Sequence, residues 1–228
     1  MAQDSVTKPP FISRYRQCFN ATWSDDTAID NVRFVVLDTE TTGLNPHTDR
    51  IITIGAVAVQ NGDILLNDSF EALIKMTQNS SSVTVHGVTR DESRTGMDEP
   101  EALERFLEYL KDGVIVGHHI GHDIATFDEA YDRHWGFRLF NRALDTMNLA
   151  LHFDKAGAFS GRPPIRRFTL DALCDAFGVI PHDRHTASGD AFITAQVFLR
   201  LRRLALKHGR GDLLRICEPF EPSENGGS

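Results

Sequence analysis

Cysteine is scarce in this 228-residue chain: Cys18, Cys174 and Cys217 are the only three, an odd number, far apart and without C-x-x-C spacing. Neither a disulfide framework nor a thiolate zinc site is indicated, and a reducing compartment fits. Long apolar runs are missing as well. Nothing approaches the roughly 18 to 20 residues needed to span a bilayer. The opening "MAQDSVTKPPFISRYRQCFN" also lacks the apolar centre of a secretory signal. A cytoplasmic protein with no membrane contact is the expectation. Positive charge is in deficit, since 24 Lys and Arg against 32 Asp and Glu leave a net charge of -8. That excludes a broad nucleic-acid-coating surface and confines any such contact to a small local site. There is no internal repeat, and only the tail "PSENGGS" is biased enough to read as disordered.

What is present is ordinary globular usage, 41% hydrophobic and 25% charged, with enough chain for one sizeable core. Residues 1–30 mix proline, polar and aromatic residues without a clear period and read as an N-terminal arm. Residues 31–210 read as the folded domain, and 211–228 as a C-terminal tail. Within the domain, "VRFVVLD" and "IITIGAVAV" have the look of buried strands, and the more alternating "DILLNDSFEALI" that of a strand nearer an edge. An antiparallel meander is expected. In "DEPEALERFLEYLKDG", Ala102, Phe106 and Leu110 lie four apart, which predicts a helix with Gly113 ending it. "VIVG" reads as a strand, "DIATFDEAYDRHW" as a helix, and "ALDTMNLAL" as a short strand turning into a helix. "TLDALCDAFG" follows as a capped helix ended by Gly178, and "TASGDAFITAQVFLRLRRLALKHG" as a long closing helix. Strands first, then alternating helices and strands, indicate an α/β fold around a mixed sheet flanked by helices.

Chemistry concentrates at the end of the first strand, in "VVLDTETTGL". Strand side chains alternate, so Asp38 and Glu40 project from one face into one pocket. Unpaired, such carboxylates repel and raise each other's pKa; a divalent cation turns the same arrangement into a favourable site. Hard oxygen ligands suit Mg²⁺ or Mn²⁺. An acidic pair also marks many strand ends that merely meet solvent, so further carboxylates have to decide. Asp123 falls in the early turn of a helix after "VIVGHHIGHD", and Asp190 in the first turns of the closing helix, five residues after His185. Ala187, Ala191 and Ala195 would let that helix approach the sheet closely. Each acid by itself reads more readily as a helix-start residue complementing the dipole.

In order along the chain, these elements resemble the DEDDh (DnaQ-like) 3′-to-5′ exonucleases, the group that includes bacterial proofreading subunits, RNase T and oligoribonuclease. "LDTETTGL" is similar to the family's D-x-E pattern with a following T-G-L, and "VGHHIGHD" to its second motif, with Asp123 as the aspartate. "HTASGD" matches the closing H-x4-D with His185 and Asp190, "VTVHGVT" resembles the H-G-[IV]-T element around His86, and "ALDTMNLA" the D-T segment. The likeness spans about residues 32–205. It implies a ribonuclease H-like mixed sheet and makes 31–210 an exonuclease domain. It also implies two Mg²⁺ or Mn²⁺ ions, with Asp38 bridging them, Glu40 and Asp190 holding the ion nearest the attacking water, and Asp123 supporting the second. His185 would be the general base, since an imidazole titrates near neutrality.

By the same resemblance, Thr41, Leu44 and His86 would hold the terminal nucleotide and Phe127 would stack near the 3′ end, although Leu44 is equally readable as core and an aromatic in the helix of Phe127 is more often core. The implied partners are single-stranded DNA or RNA 3′ ends, with a polymerase or other protein as a further partner. The chain departs from the family at His119, where Asn is usual, and at His122, where Phe is frequent. His118 and His122, four apart near Asp123, leave a zinc-dependent hydrolase as an alternative. A non-catalytic module binding a nucleic-acid end or a polymerase is the other.

Overall fold

The computed structural model describes residues 9–76, 96–159, 165 and 167–217. Five strands form its sheet: β1 (Phe34–Thr41), β2 (Ile51–Gln60), β3 (Asp63–Leu73), β4 (Val114–Gly117) and β5 (Ala143–Asp145), in the spatial order β3-β2-β1-β4-β5. β1, β2 and β3 make the expected antiparallel meander, and β4 and β5 add to β1 in parallel. Asn61 and Gly62 both take positive φ at the β2–β3 hairpin. That is the handedness a two-residue turn needs to match strand twist.

The central strand feeds both faces by simple alternation. Phe34 and Val36 enter one apolar core, Val35 and Leu37 the other, and all four are buried. The second core is closed by α1 (Pro10–Cys18), α2 (Glu99–Leu110) and α3 (Gly121–Trp135). The first is closed by α4 (Thr146–Lys155), α5 (Leu170–Phe177), α6 (Ala187–Lys207) and α7 (Leu213–Cys217). Local signals start and stop these helices as expected: Thr169 caps α5 by accepting the Ala172 amide, and Gly178 ends it at φ +64. α2 stops earlier than its sequence suggests. Lys111, at φ +51, ends it, and Gly113 instead lies tight against Val35 at the entry to β4. Among the described residues no helix is long and apolar enough to cross a membrane.

Two segments differ from their expectation as arm and tail. Residues 10–18 form α1, which buries Phe11, Ile12 and Tyr15, and Ile29 enters the opposite core. Residues 213–217 form α7, burying Leu213 and Ile216. The ends pair with each other, with Ala28 bridging Asp212 and the Leu213 amide donating to the Thr27 carbonyl at 3.0 Å. A helix of two or three turns shows too few periods to be read from sequence, and its anchors make sense only against the core that receives them.

The feature that positions the site is the landing of α6 on the sheet. Gly55 on β2 pairs with Asp38 on β1. A Cβ at Gly55 would lie 2.3 Å from the carbonyl carbon of Ala187 and 2.3 Å from the Ser188 nitrogen. The helix backbone rests directly on the strand there, and buried Ala187, Ala191 and Ala195 continue the close seam. Gly55→Ala must push the start of α6 off the sheet. Its expected cost is about 1–3 kcal/mol, the usual range for overpacking, read as a lower urea midpoint at unchanged m. A midpoint equal to wild type would show that α6 does not need this contact.

Candidate active site

β1 carries its acids beyond the apolar core, on the side that Phe34 and Val36 present to α6. Its register with β2 shifts between Glu40 and Thr41, which ends regular pairing just past the acids. From above, α6 brings buried Asp190 in its first turn. Carboxylate oxygens of Asp38, Glu40 and Asp190 lie within 4.8 Å of one another, the one such group of three or more potential metal-ligating side chains among the described residues. Asp123 comes from the opposite layer, in the first turn of α3. Its Oδ1 accepts from the Thr39 amide at 3.0 Å and from the Thr39 hydroxyl at 2.6 Å. It therefore stands beside the cluster, outside the 4.8 Å group.

Electrostatics register the crowding. Burial, then the charges of Asp123, Asp190 and Glu40, push Asp38 up to about 9, with Arg184 opposing. Burial followed by Asp190 and Asp123 raises Glu40 to about 7. Asp123 rises to about 6 through burial, moderated by its bonds from Thr39. These are carboxylates held where they resist ionisation, as expected of a ligand set in want of a cation.

The loop leading into α6 is locally strained. Asp183 and His185 have φ of 52° and 65°, uncommon for residues other than glycine. Thr186 holds the turn, its hydroxyl donating to the Asp183 carbonyl at 2.7 Å and accepting the Gly189 amide at 3.1 Å. A Cβ at Gly189 would lie 2.1 Å from that same carbonyl oxygen. The loop sends Arg184 inward, where its guanidinium donates to Asp190 Oδ1 and, at 2.8 Å, to Asp171 Oδ1. His185 is exposed at the mouth, and its backbone amide, not its ring, reaches Asp190, donating to Oδ2 at 3.3 Å.

The "TTGL" turn after β1 is built around Asp49. That carboxylate accepts from the Thr42 hydroxyl at 2.9 Å and the Asn45 amide at 2.8 Å, and a Cβ at Gly43 would lie 2.6 Å from its Oδ2. Buried Thr41 donates to the Gly43 carbonyl at 2.7 Å. Leu44 is 88% exposed at the tip, so its reading as core is set aside. His86 lies outside the described residues. Phe127 is a correction: it is fully buried, stacked on Phe106 at 4.7 Å, and offers no face to a nucleotide. One helical turn beyond Asp123, the same face of α3 has already passed from the sheet's end onto its core.

The histidines form no metal cluster with Asp123 among the described residues. His118 lies ahead of α3 and its Nδ1 bonds Thr146 Oγ1 at 3.0 Å, while that hydroxyl donates to the Gly117 carbonyl at 3.1 Å. Burial lowers its pKa to about 4. Sequence reasoning missed Thr39, Asp49 and Arg184. Thr39 sits between the two acids and Arg184 beside the histidine, but nothing in a linear pattern says toward which carboxylate either would turn.

The family model RNase_T, described as an exonuclease model, matches residues 35–198. This chain belongs to that family of DnaQ-like DEDDh exonucleases. Among relatives of the exonuclease domain is the "DNA polymerase III PolC-type" protein of Thermotoga maritima, 36% identical over 195 residues, covering 82% of this chain and 13% of that protein. Another is a "DNA polymerase III subunit epsilon-like protein" of Rhodobacter capsulatus, 36% identical over 182 residues, covering 77% of this chain and 24% of its own length. The chain thus spans under a quarter of the length of these relatives. E. coli exonuclease I in complex with a dT13 oligonucleotide shares the fold at a TM-score of 0.67 and 18% identity, over 78% of this chain and 43% of that one. The ribonuclease H-like architecture agrees with the mixed sheet and its two helical layers.

A carboxyl group whose pKa is raised by folding keeps a proton that the unfolded chain has released, so its contribution to stability is lost as pH rises from the unfolded toward the folded value. With EDTA present, the exonuclease domain should lose thermal stability between about pH 4 and pH 9, where the unfolded chain releases the proton that folded Asp38 keeps. Asp38→Asn should flatten that decline. Parallel melting curves for the two proteins would refute the assignment of strain to Asp38.

Proposed function

We propose that this domain is a metal-dependent 3′-to-5′ exonuclease that releases nucleoside monophosphates from single-stranded DNA or RNA. The observation that carries the reading is the gathering of Asp38, Glu40 and Asp190 within 4.8 Å, from two strand positions and one helix start. An all-oxygen donor set with resisted ionisation fits Mg²⁺ or Mn²⁺ and does not fit a soft or thiolate-preferring metal. Asp38, Glu40 and Asp190 would hold the ions, two per site, with Asp123 completing the set from the α3 side. When bound, such ions lower the pKa of water and offset charge developing on the phosphate and the leaving 3′ oxygen.

The chain's own residues supply the rest. His185, exposed at the mouth and fixed by the strained turn ahead of α6, takes the water's proton on an imidazole nitrogen. Thr39 fixes the Asp123 carboxylate through two donors. The Asp49-centred turn holds Thr42 and Asn45, with the Thr41 hydroxyl bonded to the Gly43 carbonyl, and presents Leu44, whose exposed side chain would meet the terminal base or sugar. DNA is the favoured substrate, given the polymerase III names of the relatives and the dT13 bound to the structural neighbour. Those names also suggest association with a polymerase.

The test is digestion of matched 5′-labelled single-stranded DNA and RNA with Mg²⁺, Mn²⁺ or EDTA. Stepwise shortening from the 3′ end should require metal and vanish in EDTA. Asp38→Ala and Asp190→Ala should abolish it while the protein stays folded. Full turnover by either variant would refute the site, and metal-independent binding without cleavage would favour a non-catalytic module. His185→Ala should slow single-turnover cleavage by roughly 10² to 10⁴, with substrate binding in Ca²⁺ nearly unchanged. Wild-type rates in that variant would make another group the base.

A further inference from the structure

Resting on that reading, we propose that Arg184 is a resident counter-cation, which occupies the carboxylate cluster in the metal-free enzyme and is displaced to Asp171 when a divalent ion binds. Both oxygens of Asp190 are engaged in the structure, Oδ1 by the Arg184 guanidinium and Oδ2 by the His185 amide. An ion approaching the shared space of Asp38, Glu40 and Asp190 can still find a lone pair on either oxygen, but there it stands against the guanidinium on Oδ1, and two cations on one carboxylate repel. The backbone amide is fixed by the turn at Thr186, whereas the guanidinium is the end of a long side chain. Arg184 is therefore the donor that yields.

Its second bond makes the exchange inexpensive. Nε donates to Asp171 Oδ1 at 2.8 Å, and Asp171 is 65% exposed at the start of α5 while Asp190 is only 11% exposed. The planar fork thus spans one carboxylate inside the site and one outside it, so the side chain has a charged partner on leaving. The left-handed backbone at Asp183 and His185 keeps Arg184 aimed at the cluster, a directed placement for the residue next to the base. A guanidinium cannot give up its charge at working pH, so departure, and not deprotonation, is its only way of yielding to an ion. Arg184 would thereby offset the charge of Asp190 before metal arrives and set how tightly metal is bound.

Mn²⁺ binding to the full chain, measured by calorimetry and by electron paramagnetic resonance of free Mn²⁺, should be about tenfold tighter in Arg184→Gln than in wild type, as expected from losing one charge-assisted competitor. In wild type, the Arg184 Nε–H resonance, assigned through its bonded correlations to the Arg184 backbone, should shift during a Mg²⁺ titration with the midpoint of metal binding. This second readout needs only the wild-type protein and holds even if the variant folds poorly. Equal or weaker Mn²⁺ binding by a folded Arg184→Gln protein, or an unmoved resonance at saturating Mg²⁺, would overturn the counter-cation role while leaving the nuclease reading intact. Failure of both proteins to bind Mn²⁺ would remove both.

Discussion

Repulsion among carboxylates is the constraint around which this molecule is arranged. Asp38, Glu40 and Asp190 stand closer than like charges tolerate without a cation, and burial deepens the penalty. Such a cluster persists only if the backbone imposes it. The imposition comes from the bare contact of α6 on β2 at Gly55, where the strand has no side chain and the helix offers Ala187. One missing Cβ, opposite Asp38 in the strand register, thereby sets how near Asp190 can come.

Topology supplies the fourth acid from the other layer. β4 runs parallel to β1, so its C-terminal end lies at the same edge of the sheet as Asp38 and Glu40. The chain leaves that end through His118–Ile120 and begins α3 at Gly121, which delivers Asp123 to the same place from the opposite face. Thr39, pointing away from its acidic neighbours by strand alternation, is the residue that meets it. The pleat of a single strand thus sorts the acids, two toward α6 and their anchoring threonine toward α3.

Much of this was legible beforehand because it is periodic or local. The alternation in "VRFVVLD", the four-residue spacing of Ala102, Phe106 and Leu110, and the cap and stop residues of α5 predict their elements from neighbours along the chain. Phe127 shows the limit. Its distance from Asp123 puts it on the acidic face of α3, yet one turn decides between the mouth of a cleft and the middle of a core. The segment before β1 failed for a related reason, since Phe11, Ile12 and Tyr15 are anchors only for a surface that α2 and α3 create.

The sequence alone determined which residues carry the charge and in what order, because identity, spacing and strand or helix period are properties of the chain. It also determined that Asp38 and Glu40 share a face, since alternation leaves no choice. Tertiary structure alone decided which groups meet: Asp190 with Asp38 across the Gly55 contact, Asp123 with Thr39, and Arg184, not the ring of His185, with Asp190. Those pairings depend on crossing distances between elements far apart in the chain and on two left-handed residues beside Arg184, and no linear pattern encodes either.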